Sequence, residues 1–205
     1  MNKSSFILLL FCPFLLIAQD QDFQQWSKIG ISYDLNKDLS VSLDQGLRFR
    51  ENASLPDVTF SNLSLKYDLI KKWSVAIGYR YITDFDLSQN ISTSHRVYSD
   101  INYRKKKKRW LMKNRLRYQH QEENFTLRDK VSLSYNIRKT LLEPFTAFEL
   151  FFKDSQFKKW RYTLGASYPF LKEFDIDIYY RFQQSFNTNN PKQLYILGLG
   201  MEYKF

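Results

Sequence analysis

The feature that constrains this chain most is a strict two-residue alternation, sustained over long segments and repeated down the sequence. In 39–50, Leu39, Val41, Leu43, Leu47 and Phe49 alternate with Ser40, Ser42, Asp44, Gly46, Arg48 and Arg50. The pattern returns in Trp73, Val75, Ile77, Tyr79 and Tyr81, in Trp160 to Tyr168, and in Tyr195 to Phe205. Successive side chains of a strand point to opposite faces, so this period predicts strands with one apolar and one polar face. Eleven segments read this way: 26–35, 39–50, 58–69, 73–83, 95–104, 110–120, 127–137, 143–153, 159–170, 174–185 and 194–205.

A short phrase punctuates them: Tyr33-Asp34-Leu35, Tyr67-Asp68-Leu69, Tyr135-Asn136-Ile137 and Tyr168-Pro169-Phe170, with Tyr103-Arg104-Lys105 a looser copy. After each comes a basic or polar turn and then a bulky residue opening the next segment. The spacing is near 34 residues, one hairpin per repeat, and the last copy falls at Tyr203-Lys204-Phe205. The expected topology is an up-and-down meander. The expected fold class is all-β, a transmembrane antiparallel barrel of about ten to twelve strands.

Alternation alone leaves open which face is buried. Segments of nine to twelve residues suit tilted bilayer-spanning strands. The apolar set is bulky, while the polar face mixes Ser, Gly and Ala with charge, as a narrowing interior would require. Aromatics gather at strand ends. Tyr33, Tyr67, Tyr103, Tyr135, Tyr168 and Tyr203, with Trp73, Trp110 and Phe174, mark one girdle; Trp26, Phe60, Tyr81 and Trp160 are assigned to the other. A soluble periplasmic lipocalin-like barrel stays open as an alternative and would have to pack all of them inside. A two-layer sandwich fits worse, because every connection reads as a hairpin.

Residues 1–18 read as a cleaved signal peptide: one cation, apolar residues from Phe6 to Ile17, then Ala18 before a polar switch. Bulky Phe11 before Cys12 argues against a lipoprotein site. Residues 19–25 are expected to be a short lead and 26–205 the barrel. The mature chain would lack cysteine, so no disulfide frame is expected. Eleven spans is itself a difficulty, because bacterial barrels normally have even counts. The options are a first segment lying outside a ten-stranded wall, a lead running through the lumen, or one mis-split segment. The aromatic-crowded 143–153 is the weakest alternation. Connections on the tyrosine side (36–38, 70–72, 105–109, 138–142, 171–173) are read as short and the opposite ones (51–57, 84–94, 121–126, 154–158, 186–193) as mostly longer, which would put the tyrosine rim on the periplasmic side.

Signal peptide, alternating strands and the terminal Leu199-Gly200-Met201-Glu202-Tyr203-Lys204-Phe205 together resemble a Gram-negative outer-membrane β-barrel. More narrowly, Gln24-Gln25-Trp26, Leu47-Arg48-Phe49-Arg50 and the tyrosine phrases are similar to a family of small outer-membrane barrels known only as a domain of unknown function. The resemblance implies an outer-membrane location, contact with lipid and lipopolysaccharide, and passage through periplasmic chaperones and the barrel-assembly machinery. It also implies an assembly signal at Tyr203 and Phe205. It offers no activity.

The chain carries 31 Lys and Arg against 21 Asp and Glu. The inward register takes fifteen of these cations against nine carboxylates. Its basic residues Arg48, Arg50, Arg80, Arg96, Arg115, Arg117, Arg161 and Arg181 are the candidate functional set, lining either a narrow anion-preferring channel or a closed ion-pair network. The remaining expectation is a non-enzymatic porin-like or surface protein, a monomer without cofactor or metal. A lipid-modifying enzyme is the alternative, but only His95 and His120 could serve as a base. Ser94 beside His95 would point to the opposite face. The run Lys105–Arg109 reads as a solvated basic turn near lipid head groups and not as a nucleic-acid site. Asp84, Asp86, Glu122 and Glu123 are acidic loop candidates for divalent cations.

Overall fold

The computed structural model describes residues 20–171 and 173–205. The signal peptide proposed for 1–18 lies outside them. Eleven strands form one closed wall: β1 (Asp20–Asp34), β2 (Leu39–Arg50), β3 (Leu55–Ile70), β4 (Trp73–Phe85), β5 (Ile91–Lys107), β6 (Trp110–Gln121), β7 (Asn124–Tyr135), β8 (Glu143–Lys153), β9 (Gln156–Pro169), β10 (Phe174–Ser185) and β11 (Lys192–Lys204). Each pairs antiparallel with its sequence neighbour, and β1 closes the ring against β11.

That closure settles the strand-count difficulty. β1 runs parallel to β11, in register from Asp20↔Lys192 to Ser32↔Lys204. An odd number of alternating strands must bring first and last together pointing the same way, and here the wall accepts a parallel seam. The first segment is therefore part of the barrel. Residues 20–25, expected as part of a lead, are the opening rungs of β1's ladder with β11.

The strands also reach further than the alternation suggested. β3, β5 and β1 span 16, 17 and 15 residues. The segments read as long loops, 84–94 and 121–126, shrink to 86–90 and 122–123. Their Ser, Thr and Asn residues pair in the ladder, because polar side chains are no obstacle to a strand beyond the apolar band. The expected difference in connection length between the rims is absent, and with it that argument for orientation. Between β8 and β9 a two-residue turn, Asp154-Ser155, has both φ positive, at 53° and 57°, which matches the twist of the flanking strands.

The barrel is inside-out. Ile29, Leu43, Leu63, Ile77, Val97, Leu116, Val131, Leu164, Ile178 and Leu197 are all exposed on the outer wall. The buried groups are mostly polar: Gln24, Asn62, Asp100, Arg117, Gln119, Arg128, Glu149, Thr163 and Gln183. The buried apolar cluster is small, Trp26 with Leu194 and Ile196 beside the seam. The aromatic band on the tyrosine rim is present as ring contacts, Trp73–Tyr103 at 4.9 Å, Trp110–Tyr135 at 4.7 Å and Tyr203–Phe205 at 4.7 Å. Toward the other rim runs Phe148–Trp160–Phe182–Tyr195.

Two assignments to that second band are corrected. Trp26 and Phe60 point inward and are 7% exposed. Each shares the parity of an inward lysine, Lys28 or Lys66, and a strand cannot turn one of them around without a bulge. All six glycines lie in strands, none with positive φ, and on the inward parity. They clear space for neighbours: a Cβ at Gly78 would overlap the Tyr98 ring, and one at Gly198 the Tyr179 ring. The crowded β8 follows the same logic. Phe145 packs over Gly165 and Phe151 turns inward, while Phe148 and Phe152 face out.

Candidate functional site: a cationic lumen

Inward parity places one charged or aromatic side chain after another on a common ring. Arg80 on β4 stands 4.0 Å from the Phe60 ring of β3; Arg48 on β2 lies 5.3 Å from that ring and 4.0 Å from Trp26 on β1. Trp26 in turn lies 5.3 Å from Arg181 on β10 and 5.2 Å from Arg161 on β9. Phe151 on β8 is faced by Arg161, Arg128 and Lys159 at 4.6, 4.6 and 4.7 Å. The ring is completed by Arg117 on β6, 3.6 Å above Tyr98 of β5. β11 contributes Gly198, which leaves room for Tyr179.

Carboxylates neutralise only part of this belt. Glu149 takes Arg128 at 2.7 Å, Arg115 at 2.9 Å and Arg161 at 3.5 Å. Asp100 accepts two parallel bonds from Arg117, at 2.6 and 2.7 Å, the strong bidentate form. Among the described residues, Arg48, Arg80, Arg96, Arg181, Lys130 and Lys159 have no carboxylate within ion-pair distance. The hydrogen-bond partners of three of them are neutral. Arg80 Nε donates to Asn62 at 3.2 Å, Arg96 Nε to Gln121 at 2.9 Å and Arg181 Nε to Thr163 at 2.9 Å. A cation held over an aromatic face gains about 0.5–2 kcal/mol without losing its charge. The aromatics thus fix the guanidinium positions and leave their field intact.

The belt surrounds one cavity of about 1520 Å³. Its lining reaches Lys37, Asp38, Lys71 and Lys72 at the tyrosine rim and Lys153, Asp154, Asn187 and Asn189 at the other. Seven of the candidate arginines, Arg48, Arg80, Arg96, Arg115, Arg117, Arg161 and Arg181, line it. Arg50 does not. Its side chain is held at the rim by Asp57 at 3.3 Å and by the Phe85 carbonyl at 2.5 Å. Lys159 and the five belt aromatics Trp26, Phe60, Tyr98, Phe151 and Tyr179 belong to the site but were missed from sequence. Parity with Arg161, Lys28, Lys66, Arg96, Glu149 and Arg181 was the available signal.

The histidines lie elsewhere. His95 faces outward, its Nδ1 2.6 Å from the Tyr79 hydroxyl, while Ser94 is buried on the lumen side and accepts from Gln121 at 3.1 Å. His120 stacks on Phe125 at 4.4 Å. Among the described residues no three His, Cys, Asp or Glu side chains gather as a metal site. The Asp86 carboxylate, in the 86–90 connection, accepts bonds from the Asn90 backbone and side chain at 2.8 and 2.7 Å. These donors hold its pKa below the ordinary carboxylate value.

Residues 23–194 match the family described as "Protein of unknown function (DUF2490)". The chain belongs to that family. Among solved structures, this DUF2490 barrel is similar to a KdgM porin, with 13% identity, a TM-score of 0.48, and coverage of 80% of this chain and 89% of that one. No curated protein matches it.

Proposed function

We propose that the protein is a non-enzymatic outer-membrane barrel whose lumen forms a narrow passage preferring anions. The observation that carries this reading is one continuous cavity lined from rim to rim, with a waist at which Arg48, Arg80 and Arg181 are held by aromatic faces instead of carboxylates. Uncancelled cations in a low-dielectric wall raise the local concentration of anions and exclude cations. The exposed apolar wall and its two aromatic bands support placement in a bilayer. Export by a signal peptide at 1–18, delivery through periplasmic chaperones and the barrel-assembly machinery with Tyr203 and Phe205 as the signal read, contact with lipopolysaccharide, and a monomeric state complete the proposal.

The test is planar-bilayer recording of refolded protein across a tenfold KCl gradient. The expected result is discrete conductance with a reversal potential of the sign for chloride permeation. Silence, or a reversal potential of the opposite sign, refutes the channel reading and leaves a surface or structural barrel.

A further inference from the structure

Four pairs of inward cations stand directly opposite one another across strands: Arg117↔Arg128, Arg115↔Lys130, Arg80↔Arg96 and, toward the tyrosine rim where both side chains are exposed, Arg104↔Lys113. Like charges in that position repel. The first two pairs are compensated, since Asp100 binds Arg117 and Glu149 binds both Arg128 and Arg115. Arg80 and Arg96 have no such partner among the described residues. Arg48 adds a third cation with no carboxylate at ion-pair distance; it and Arg80 flank the same Phe60 ring at 5.3 and 4.0 Å. Asp84 and Asp57 act on Arg96 and Arg48 only from farther away.

The donors left over are as telling as the charge. A guanidinium carries five N–H groups. Arg48 makes no hydrogen bond within the described residues, Arg80 uses only Nε on Asn62, and Arg96 spends Nε and one Nη on the single Gln121 oxygen. All three line the cavity. Phe60 itself cannot yield, because it fills the notch over Gly46. The guanidiniums are thus held apart on a fixed platform, with unused donors facing a common space.

We infer that Arg48, Arg80 and Arg96 form a binding site for a compact oxyanion carrying two or more negative charges. A diphosphate-type anion presents several acceptor oxygens on separate centres and can bridge guanidiniums that a single chloride cannot. Guanidinium–phosphoryl pairs are charge-assisted and frequently bidentate, which sets this class above monovalent ions. The inference deepens the anion-passage reading and rests on it for how solute reaches the site. The site would slow and select multivalent anions, not merely admit negative charge.

Isothermal titration of the detergent-refolded full chain at constant ionic strength, with inorganic pyrophosphate and with nitrate, tests it. Pyrophosphate should bind about tenfold or more tightly than nitrate, and Arg80→Gln or Arg96→Gln should each weaken it by about tenfold. Lys106→Gln, the same loss of charge at an exposed position near the end of β5 and outside the cavity lining, should leave it unchanged. Arg96→Lys, which keeps the charge and loses the fork, gives a milder loss and serves if the glutamine variants fail to refold. Equal binding of nitrate and pyrophosphate, or equal weakening by Lys106→Gln, overturns the site. Conductance without pyrophosphate binding removes the site and leaves the channel; binding without conductance does the reverse.

Discussion

Glu149→Gln isolates what the lumen network contributes. One carboxylate, 7% exposed as a side chain, serves Arg128, Arg115 and Arg161, themselves 10%, 27% and 12% exposed. The amide keeps shape and one acceptor but removes the only negative charge that these three share. Removing one partner of a buried ion pair typically costs 3–5 kcal/mol, mostly from the charges left uncompensated. Arg115 is partly wet, so the lower end, about 3 kcal/mol, is expected. With a urea slope of about 2–3 kcal/mol/M for a chain of this size, the unfolding midpoint should fall by roughly 1 M. Denaturant titration of protein refolded in detergent, followed by gel mobility and circular dichroism, measures it. Adding Arg128→Gln should recover part of the loss, since one fewer cation is stranded. In bilayers the single variant should be more anion-selective even as it is less stable. A midpoint shift under about 0.3 M, with no recovery in the double variant, would mean the lumen screens these charges as water does, and the reasoning about a low-dielectric waist would fail.

Three further outcomes are expected. Ile77→Arg, on the outer wall where Ile77 is 63% exposed, should cost about 2–4 kcal/mol in vesicles if that position sits near the bilayer midplane, read as the loss of folded, protease-protected protein. Gly198→Ala should destabilise by about 1–3 kcal/mol by driving a methyl into the Tyr179 ring, with Tyr179→Leu restoring most of it in the same urea assay. Asn90→Ala should raise the Asp86 pKa toward the ordinary carboxylate value. Because the native value is lowered, the 86–90 bonds contribute fully above the unfolded carboxylate range and are lost as pH falls through the native value; carboxyl-carbon NMR titration reads the shift, and an unmoved pKa would refute the role of Asn90.

The wall was legible in the sequence because a strand's period of two is rigid. Once Arg48 and Leu47 were assigned to opposite faces, every residue of β2 followed. The same rule held the answer for Trp26 and Phe60, yet their chemistry suggested a girdle, and composition outweighed parity. Strand ends were harder to read. Ser92, Thr93, Asn124 and Thr126 carry the ladder past the apolar band, and nothing in a polar residue distinguishes a solvated strand from a loop. The parallel seam was out of reach because it joins residues such as Asp20 and Lys192, and no local pattern encodes a contact at that separation. The uncompensated Arg80–Arg96 opposition was equally hidden, since it depends on the pairing register between two strands.

The seam has a consequence for how this wall can be cut and rejoined. In a barrel with an even number of strands, the two ends of the ladder emerge side by side and a short turn could tie them. Here Asp20 and Lys204 finish at opposite mouths, so any covalent bridge between them would have to follow the tilted seam for about 40 Å, twelve rungs of strand. Ten of the eleven strand contacts are stitched by a neighbour in the chain. The eleventh must wait until all the others have curled far enough for the two edges to meet, which makes ring closure a single late event with no local template.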